Sequence, residues 1–243
     1  MAAALGWGTL AGSSLVIGAV VALRFHIGLR AIGLIMGFGA GVLISALSFD
    51  LVEEAVGKSS GQGWVAAGVF AGCATFFGGD ALIARLGGGK RKHADGGQGG
   101  GSALAIVLGT VLDGIPESMV IGLTIFEGGA VGAAYLAAVF ISNLPEAISA
   151  TSGLARGGWA KSRILGMWTA IAVTAGLSSL AGYALFQDSP PDTVAFVLAF
   201  AAGAILTMLA QTMMPEAYKH GGKLVGVVTT LGFAVAFAIH TLD

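Results

Sequence analysis

Two successive apolar runs of this chain each contain a carboxylate directly after a proline. The first run holds Asp113 and Glu117, and the second holds Ser142, Asn143 and Glu146. A charge inside a bilayer is costly, so ionisable residues within membrane spans usually mark ion or proton sites. If both runs cross a bilayer, these side chains predict a cation site.

The spacing of these residues supports this interpretation. Asp113 and Glu117 are four residues apart and Asn143 and Glu146 are three apart, so each pair shares one face of a helix. Each proline also removes a backbone hydrogen bond, which frees a carbonyl oxygen one turn earlier. Oxygens from two such helices can enclose a divalent cation, whose charge offsets the carboxylates. We predict a metal site formed by Asp113, Glu117, Ser142, Asn143 and Glu146.

The composition is that of a polytopic membrane protein. Of the 243 residues, 56% are hydrophobic and only 10% are charged, whereas soluble domains carry about 25% charged residues. Apolar runs of roughly 20 residues, the length that crosses the hydrocarbon core, divide the chain into eight spans. We place these spans at about 5–24, 30–56, 63–86, 102–126, 129–154, 163–186, 191–216 and 223–241.

These spans predict an all-α fold in which eight transmembrane helices form one bundle and one domain, residues 1–243. Because two residues separate spans four and five, we expect a tight antiparallel hairpin there. Eleven of the twelve Lys and Arg residues follow the odd-numbered spans, and Lys58 alone lies on the other side. The positive-inside rule then makes both termini extracytoplasmic. The Gly-rich stretch 87–101, with its basic cluster and His93, becomes a flexible cytoplasmic loop.

Several function classes are excluded by the same sequence. The net charge of −1 argues against a nucleic-acid partner, and the single Cys73 excludes an intrachain disulfide. The stretch Phe77-Gly78-Gly79-Asp80 lacks the Gly-x-Gly-Asp spacing of intramembrane aspartyl proteases. We expect neither an enzyme nor an organic cofactor.

Further polar residues lie near the ends of other spans. Asp50 and Glu54 share one helix face at the end of span two, where an acidic vestibule would concentrate cations. Gln211, Glu216 and His220 follow one another near the cytoplasmic end of span seven, where a second Pro-Glu step occurs. We predict that the first pair lines the extracellular approach to the site, and that the other three line the exit path.

At these residues the chain resembles the ZIP (Zrt/Irt-like) family of divalent metal transporters. The fourth and fifth helices of that family carry His-Asn-x-Pro-Glu-Gly and His/Gln-Asn/Asp-x-Pro-Glu. Here the corresponding stretches read Asp113-Gly-Ile-Pro-Glu117-Ser and Ser142-Asn-Leu-Pro-Glu146-Ala. The likeness extends over nearly the whole chain, including the eight spans and the basic third cytoplasmic loop.

Two other helices resemble family patterns. The stretch AGVLISALSFDLVEEA is similar to AGV-x-L-x-x-A-x-x-H-L-x-P-E-A, with Asp50 at the His and Glu54 at the Glu. Span seven is similar to E-x-x-P-E-x-H-R, with Gln211 near the first acid, Glu216 matching the second, and Tyr218 where His is common.

The resemblance implies uptake of a divalent cation into the cytoplasm. It assigns metal binding to Glu117, Asn143 and Glu146, with Asp113 in place of the motif histidine and Ser142 at the first position of the second motif. An all-oxygen set favours manganese, iron(II) or magnesium, although oxygen ligands also bind zinc. The resemblance also implies contact with the lipid bilayer, often a homodimer, and an elevator-like motion. The short loops favour a prokaryotic inner membrane.

Two alternatives use the same residues differently. A metal sensor or scaffold with the same fold would bind cations without moving them. A proton-coupled carrier of another solute would use the carboxylates as proton shuttles and would ignore added divalent metal.

Overall fold

The apolar runs of the sequence form helices wherever the structure describes them. The structure, a computed structural model, describes residues 1–85, 103–128 and 133–242. Within these ranges the side chains of residues 62, 103–108, 113, 126–128, 133 and 134 are not described. We number the helices in the described ranges α1 Ala2–Arg24, α2 Leu29–Lys58, α3 Gln62–Ile83, α4 Ala103–Gly128, α5 Ala133–Arg156, α6 Lys161–Phe186, α7 Pro191–Gly221 and α8 Leu224–His240.

The eight helices coincide with the eight predicted apolar runs, and the described residues contain no strand. This confirms the all-α class. The ends of α2 and α7 extend a few residues beyond the predicted boundaries, to Lys58 and Gly221. The predicted loop at 87–101, with His93, and the connection at 129–132 lie outside the described residues.

Five helices in the described ranges are long and apolar enough to cross a membrane, namely α1, α2, α3, α6 and α7. Helix α8 is apolar but shorter. Large apolar side chains such as Phe70, Phe77 and Val227 are exposed on the outer surface of the bundle. Exposing them to water is unfavourable, whereas contact with lipid is not. These features indicate a protein embedded in a membrane.

The helices pack as two groups of four. Helices α1, α4, α5 and α6 form one group, which we call the site group, through the pairs α1–α6, α1–α5 and α4–α6. Helices α2, α3, α7 and α8 form the other, the frame group, through the pairs α3–α7, α2–α8 and α2–α7. The groups meet mainly where α2 packs on α5 and where α4 packs on α7.

Glycines allow the closest approaches inside each group. A Cβ added at Gly68 of α3 would lie 2.6 Å from the carbonyl oxygen of Phe196 in α7. In the site group, a Cβ added at Gly122 of α4 would overlap the carbonyl oxygen of Ser179 in α6. Small residues let helix backbones approach in this way in membranes. Among the described residues, such backbone overlaps occur only within a group.

The contacts between the groups are of a different kind. A Cβ added at Gly39 of α2 would lie 2.9 Å from Cγ of Pro145 in α5. One added at Gly79 of α3 would lie 2.9 Å from Cδ2 of Leu112 in α4. These neighbours are side chains, so the interface between the groups is less tightly locked than the interior of either group.

Two frame-group helices contain π-helical segments. In α2 the segment covers Leu47–Glu53, and in α7 it covers Leu209–Met213. Single-turn π-segments inside α-helices are frequent at functional sites. The segment in α2 carries Asp50 and Glu53, and the segment in α7 carries Gln211. Asp50 is predicted to line the extracellular approach to the site, and Gln211 is predicted to line the exit path.

Candidate functional site

Helices α4 and α5 bring three of the predicted ligands to one cavity. Glu117 of α4 and Glu146 of α5 are 4% and 7% exposed, and Asn143 is half-buried. Helices α1 and α6 complete the wall. The polar residues that line the cavity are Thr110, Glu117, Ser118, Asn143, Glu146, Thr174 and Ser178.

Both helices continue through their prolines, Pro116 and Pro145. The residue after each proline therefore stays in helical register with the polar residues one turn earlier. This register places Asn143 and Glu146 on the face of α5 that lines the cavity. Glu117 reaches the same cavity from α4, although α4 and α5 barely contact each other directly.

The cavity is narrow. The space inside it that the centre of a water molecule can occupy is about 20 Å³. A water molecule needs roughly 10–15 Å³ by that measure. The site therefore has room for a small ion with one retained water, or for one or two waters, but not for an organic solute.

Two buried carboxylates in one small cavity have an electrostatic consequence. Each disfavours the ionised form of the other, and burial disfavours the charge of both. A divalent cation between them, or a proton on one of them, offsets that cost. The arrangement can thus exchange a cation for protons.

The other two predicted ligands are placed differently. The Ser142 hydroxyl donates to the carbonyl oxygen of Val139, at 3.0 Å, in its own helix, and the backbone of Ser142 faces Gly39 of α2. Ser142 does not line the cavity. The backbone of Asp113 lies in α4, but its side chain falls outside the described part of the chain.

Among the described side chains, no group of three or more His, Cys, Asp or Glu residues is arranged to hold a metal ion. The described cavity offers two carboxylates, and every other polar group in it is a neutral amide or hydroxyl. Any cation bound there would rely on Asp113, on neutral oxygens or on water for its remaining ligands.

The hydroxyl groups of the cavity were missed at the sequence level. Ser118 is 3% exposed, directly follows Glu117, and lines the cavity. Thr174 and Ser178 line it from α6. Their spacing of four residues places both on one helix face, and this was the only sign of them in the sequence. The packing of α6 against α4 could not be predicted from that spacing.

A second cavity lies at the residues for which the sequence predicts a vestibule. By the measure that gives about 20 Å³ for the first cavity, this one has about 290 Å³. It is lined by Asp50, Glu53, Glu54, Thr124, Tyr135, His240 and Phe49. Nδ1 of His240 lies 2.7 Å from Oδ1 of Asp50, which joins the end of α8 to α2. Glu54 forms an ion pair with Lys58, with the charged atoms 3.5 Å apart. The sequence places Glu53 at the end of the same span as Asp50 and Glu54, but nothing in it predicts that His240, at the end of α8, lies beside α2.

Tyr135 lies between the vestibule and the ligand helix. Its side chain lines the vestibule and is 1% exposed. Its hydroxyl donates to the backbone carbonyl oxygen of Glu117, at 3.4 Å. Tyr135 therefore connects the wall of the vestibule to the backbone of a predicted ligand.

The predicted exit residues are divided in the structure. Glu216 is buried, and its Oε1 lies 3.0 Å from Nε2 of His220, one turn further along α7. Lys219 approaches the other oxygen of Glu216 at 3.9 Å. Gln211 lies on the exposed surface of α7, away from this pair.

The chain matches no protein-family model, and no curated protein matches it. Its function is therefore inferred from its own residues and their geometry.

Proposed function

We propose that this protein transports a divalent metal cation across a membrane into the cytoplasm. The observation that carries the proposal is the meeting of Glu117, Asn143 and Glu146 in one narrow buried cavity. These residues come from two separate Pro-Glu stretches of the sequence. Buried carboxylates within a membrane bundle are expensive to maintain, and they are characteristic of ion and proton pathways. We propose Asp113 as an additional ligand.

The resemblance to the ZIP family supports the same function. Glu117, Asn143 and Glu146 are the residues at which the two family motifs agree best with this sequence, and they are also the three that share the cavity. A carrier of this kind would cross the membrane eight times with both termini extracytoplasmic, as the distribution of basic residues indicates. We place it in a prokaryotic plasma membrane, and a homodimer is the assembly that the resemblance favours.

The proposed path has three parts. A cation is attracted by the acidic vestibule around Asp50 and Glu54, binds between Glu117 and Glu146, and leaves past Glu216 and His220. The separation of the helices into the site group and the frame group supports alternating access, because one group can move against the other without disturbing the close glycine contacts inside either. The cavity lies inside the site group, so such a movement would carry the bound cation with that group.

A parallel uptake assay tests this function. Purified protein is reconstituted into liposomes, and initial uptake of zinc, manganese, iron(II), cobalt and magnesium is measured under identical conditions. We expect uptake of at least one cation, and we expect the Glu117→Gln variant to abolish it because this change removes the charge and preserves the shape.

The other outcomes of that assay are informative. Cation binding without uptake would identify a sensor or scaffold and would overturn the transport proposal. The absence of both binding and uptake, together with proton movement that ignores metals, would identify a carrier of another solute. Undiminished uptake by Glu117→Gln would show that the site is wrongly assigned.

The vestibule gives a separate prediction. The double variant Asp50→Asn, Glu54→Gln should lower the initial uptake rate about threefold to tenfold at low ionic strength, because acidic clefts raise the local concentration of cations. The deficit should shrink at about 0.5 M salt, where the Debye length is only a few ångströms. Asp188→Asn is the matched control, since Asp188 is exposed and is not part of the vestibule. A deficit that does not depend on salt would contradict this role.

A further inference from the structure

We infer that the cavity holds its cation with part of the cation's water shell retained, and that Ser118 and Ser178 bind this hydrated side. The substrate class is then a hard, oxygen-preferring divalent cation of the manganese or magnesium type, and zinc is disfavoured. This inference rests on the proposed function, and it adds specificity-determining residues that neither the motifs nor the resemblance assign.

The hydroxyl of Ser118 carries the first step. Ser118 is almost completely buried and lines the cavity beside Glu117. Its hydroxyl can donate a hydrogen bond to water and accept one from it. A hydroxyl on the wall of a cavity of this size is placed to bind a water molecule there.

Helix α6 contributes the second step. Ser178 is half-buried and lines the same cavity. Thr174, one turn earlier, donates its hydroxyl to the carbonyl oxygen of Ala170 at 3.0 Å. Its oxygen keeps lone pairs that can accept a hydrogen bond from water. Asn143 of α5 is a further polar residue of the cavity wall.

The size and the charge of the cavity supply the third step. Two carboxylates match the charge of one divalent cation, and the remaining space admits about one water. Magnesium binds to proteins through one or two carboxylates and retains bound water. Carboxylate, carbonyl and water ligands also suit manganese. Zinc sites are usually built from His and Cys, and neither lines the described cavity.

The test measures cation binding by the purified full chain in lipid nanodiscs. Manganese is followed by its electron paramagnetic resonance signal and by water-proton relaxation, which reports waters that remain on the bound ion. Magnesium and zinc are measured as competitors, so that the three cations are ranked in one preparation. The variants are Ser118→Ala and Ser178→Ala. The matched control is Thr169→Ala, which removes an exposed α6 hydroxyl that donates to the carbonyl oxygen of Leu165.

We expect wild-type protein to bind manganese with enhanced water-proton relaxation and to prefer manganese or magnesium over zinc. Each serine variant should weaken manganese binding about threefold to tenfold, the range expected for one lost hydrogen bond. Zinc binding should change less than twofold, and Thr169→Ala should resemble the wild type.

Two results would overturn the inference while leaving the proposed function intact. One is that Glu117→Gln abolishes binding but both serine variants bind manganese like the wild type. The other is that zinc is preferred, or that bound manganese shows no relaxation enhancement. If the wild-type protein binds no divalent cation, the proposed function fails and this inference fails with it.

Discussion

Replacing either buried glutamate of the cavity, as Glu117→Ala or Glu146→Ala, should reduce cation uptake by at least about a hundredfold. Each carboxylate supplies half of the charge that balances a divalent cation, and removing one leaves the other buried beside an incompletely neutralised ion. Altering groups that merely support metal ligands already costs about 10–100-fold in affinity or activity, so the loss of a ligand should cost at least that. The measurement is initial uptake into liposomes containing equal amounts of folded protein.

The double variant makes this prediction sharper. If both glutamates bind the same ion, the variant lacking both should be no worse than the poorer single variant, because groups that act as a unit lose their effect together. Asp188→Ala, on the exposed surface outside both cavities, should transport normally. Two modest losses that add in the double variant would indicate two independent roles and would contradict a shared site.

The second large effect concerns stability. Gly122→Ala should destabilise the protein by about 2 kcal/mol or more, because the new Cβ would overlap the carbonyl oxygen of Ser179 and lie 2.8 Å from the amide nitrogen of Tyr183. Overpacking typically costs 1–3 kcal/mol. Helix propensity works in the opposite direction by about 1 kcal/mol. The overlap should dominate because its partners are backbone atoms of α6, which cannot rotate away.

Gly166→Ala is the control for this effect. Gly166 also lies in a helix, α6, but a Cβ there would meet nothing within 4 Å. This variant should leave the melting temperature unchanged or raise it slightly, whereas Gly122→Ala should lower it by several degrees. Equal shifts in the two variants would mean that the α4–α6 contact does not limit stability.

The helices could be predicted because their signal is local. Apolar runs of membrane length alternate with Gly-rich and charged segments, and the ends of α2 and α7 differ from expectation by only a few residues. The helix faces that carry Glu117, Asn143 and Glu146 were also foreseeable, since the spacing within each run fixes the face. The expected tight hairpin of spans four and five is wrong for the described residues, because α4 packs chiefly on α6, and α5 on α1, rather than on each other.

The remaining parts of the site depend on contacts between distant segments. Ser142 adjoins Asn143 in sequence, but one residue is about 100° of rotation on a helix, and this turns Ser142 towards α2. His240 reaches Asp50 only because α8 packs along α2. Thr174 and Ser178 join the cavity only because α6 packs on α4. No local pattern encodes these pairings.

The connections that join the two helix groups limit how far the groups can move relative to each other. The chain passes from one group to the other three times, between α1 and α2, between α3 and α4, and between α6 and α7. The first and last of these crossings are short, residues 25–28 and 187–190. Even fully extended, each spans about 18 Å between helix ends. In the proposed orientation these two connections lie at opposite ends of the bundle. Each therefore limits how far one group can move along the other, and the limit is shorter than the thickness of the bilayer.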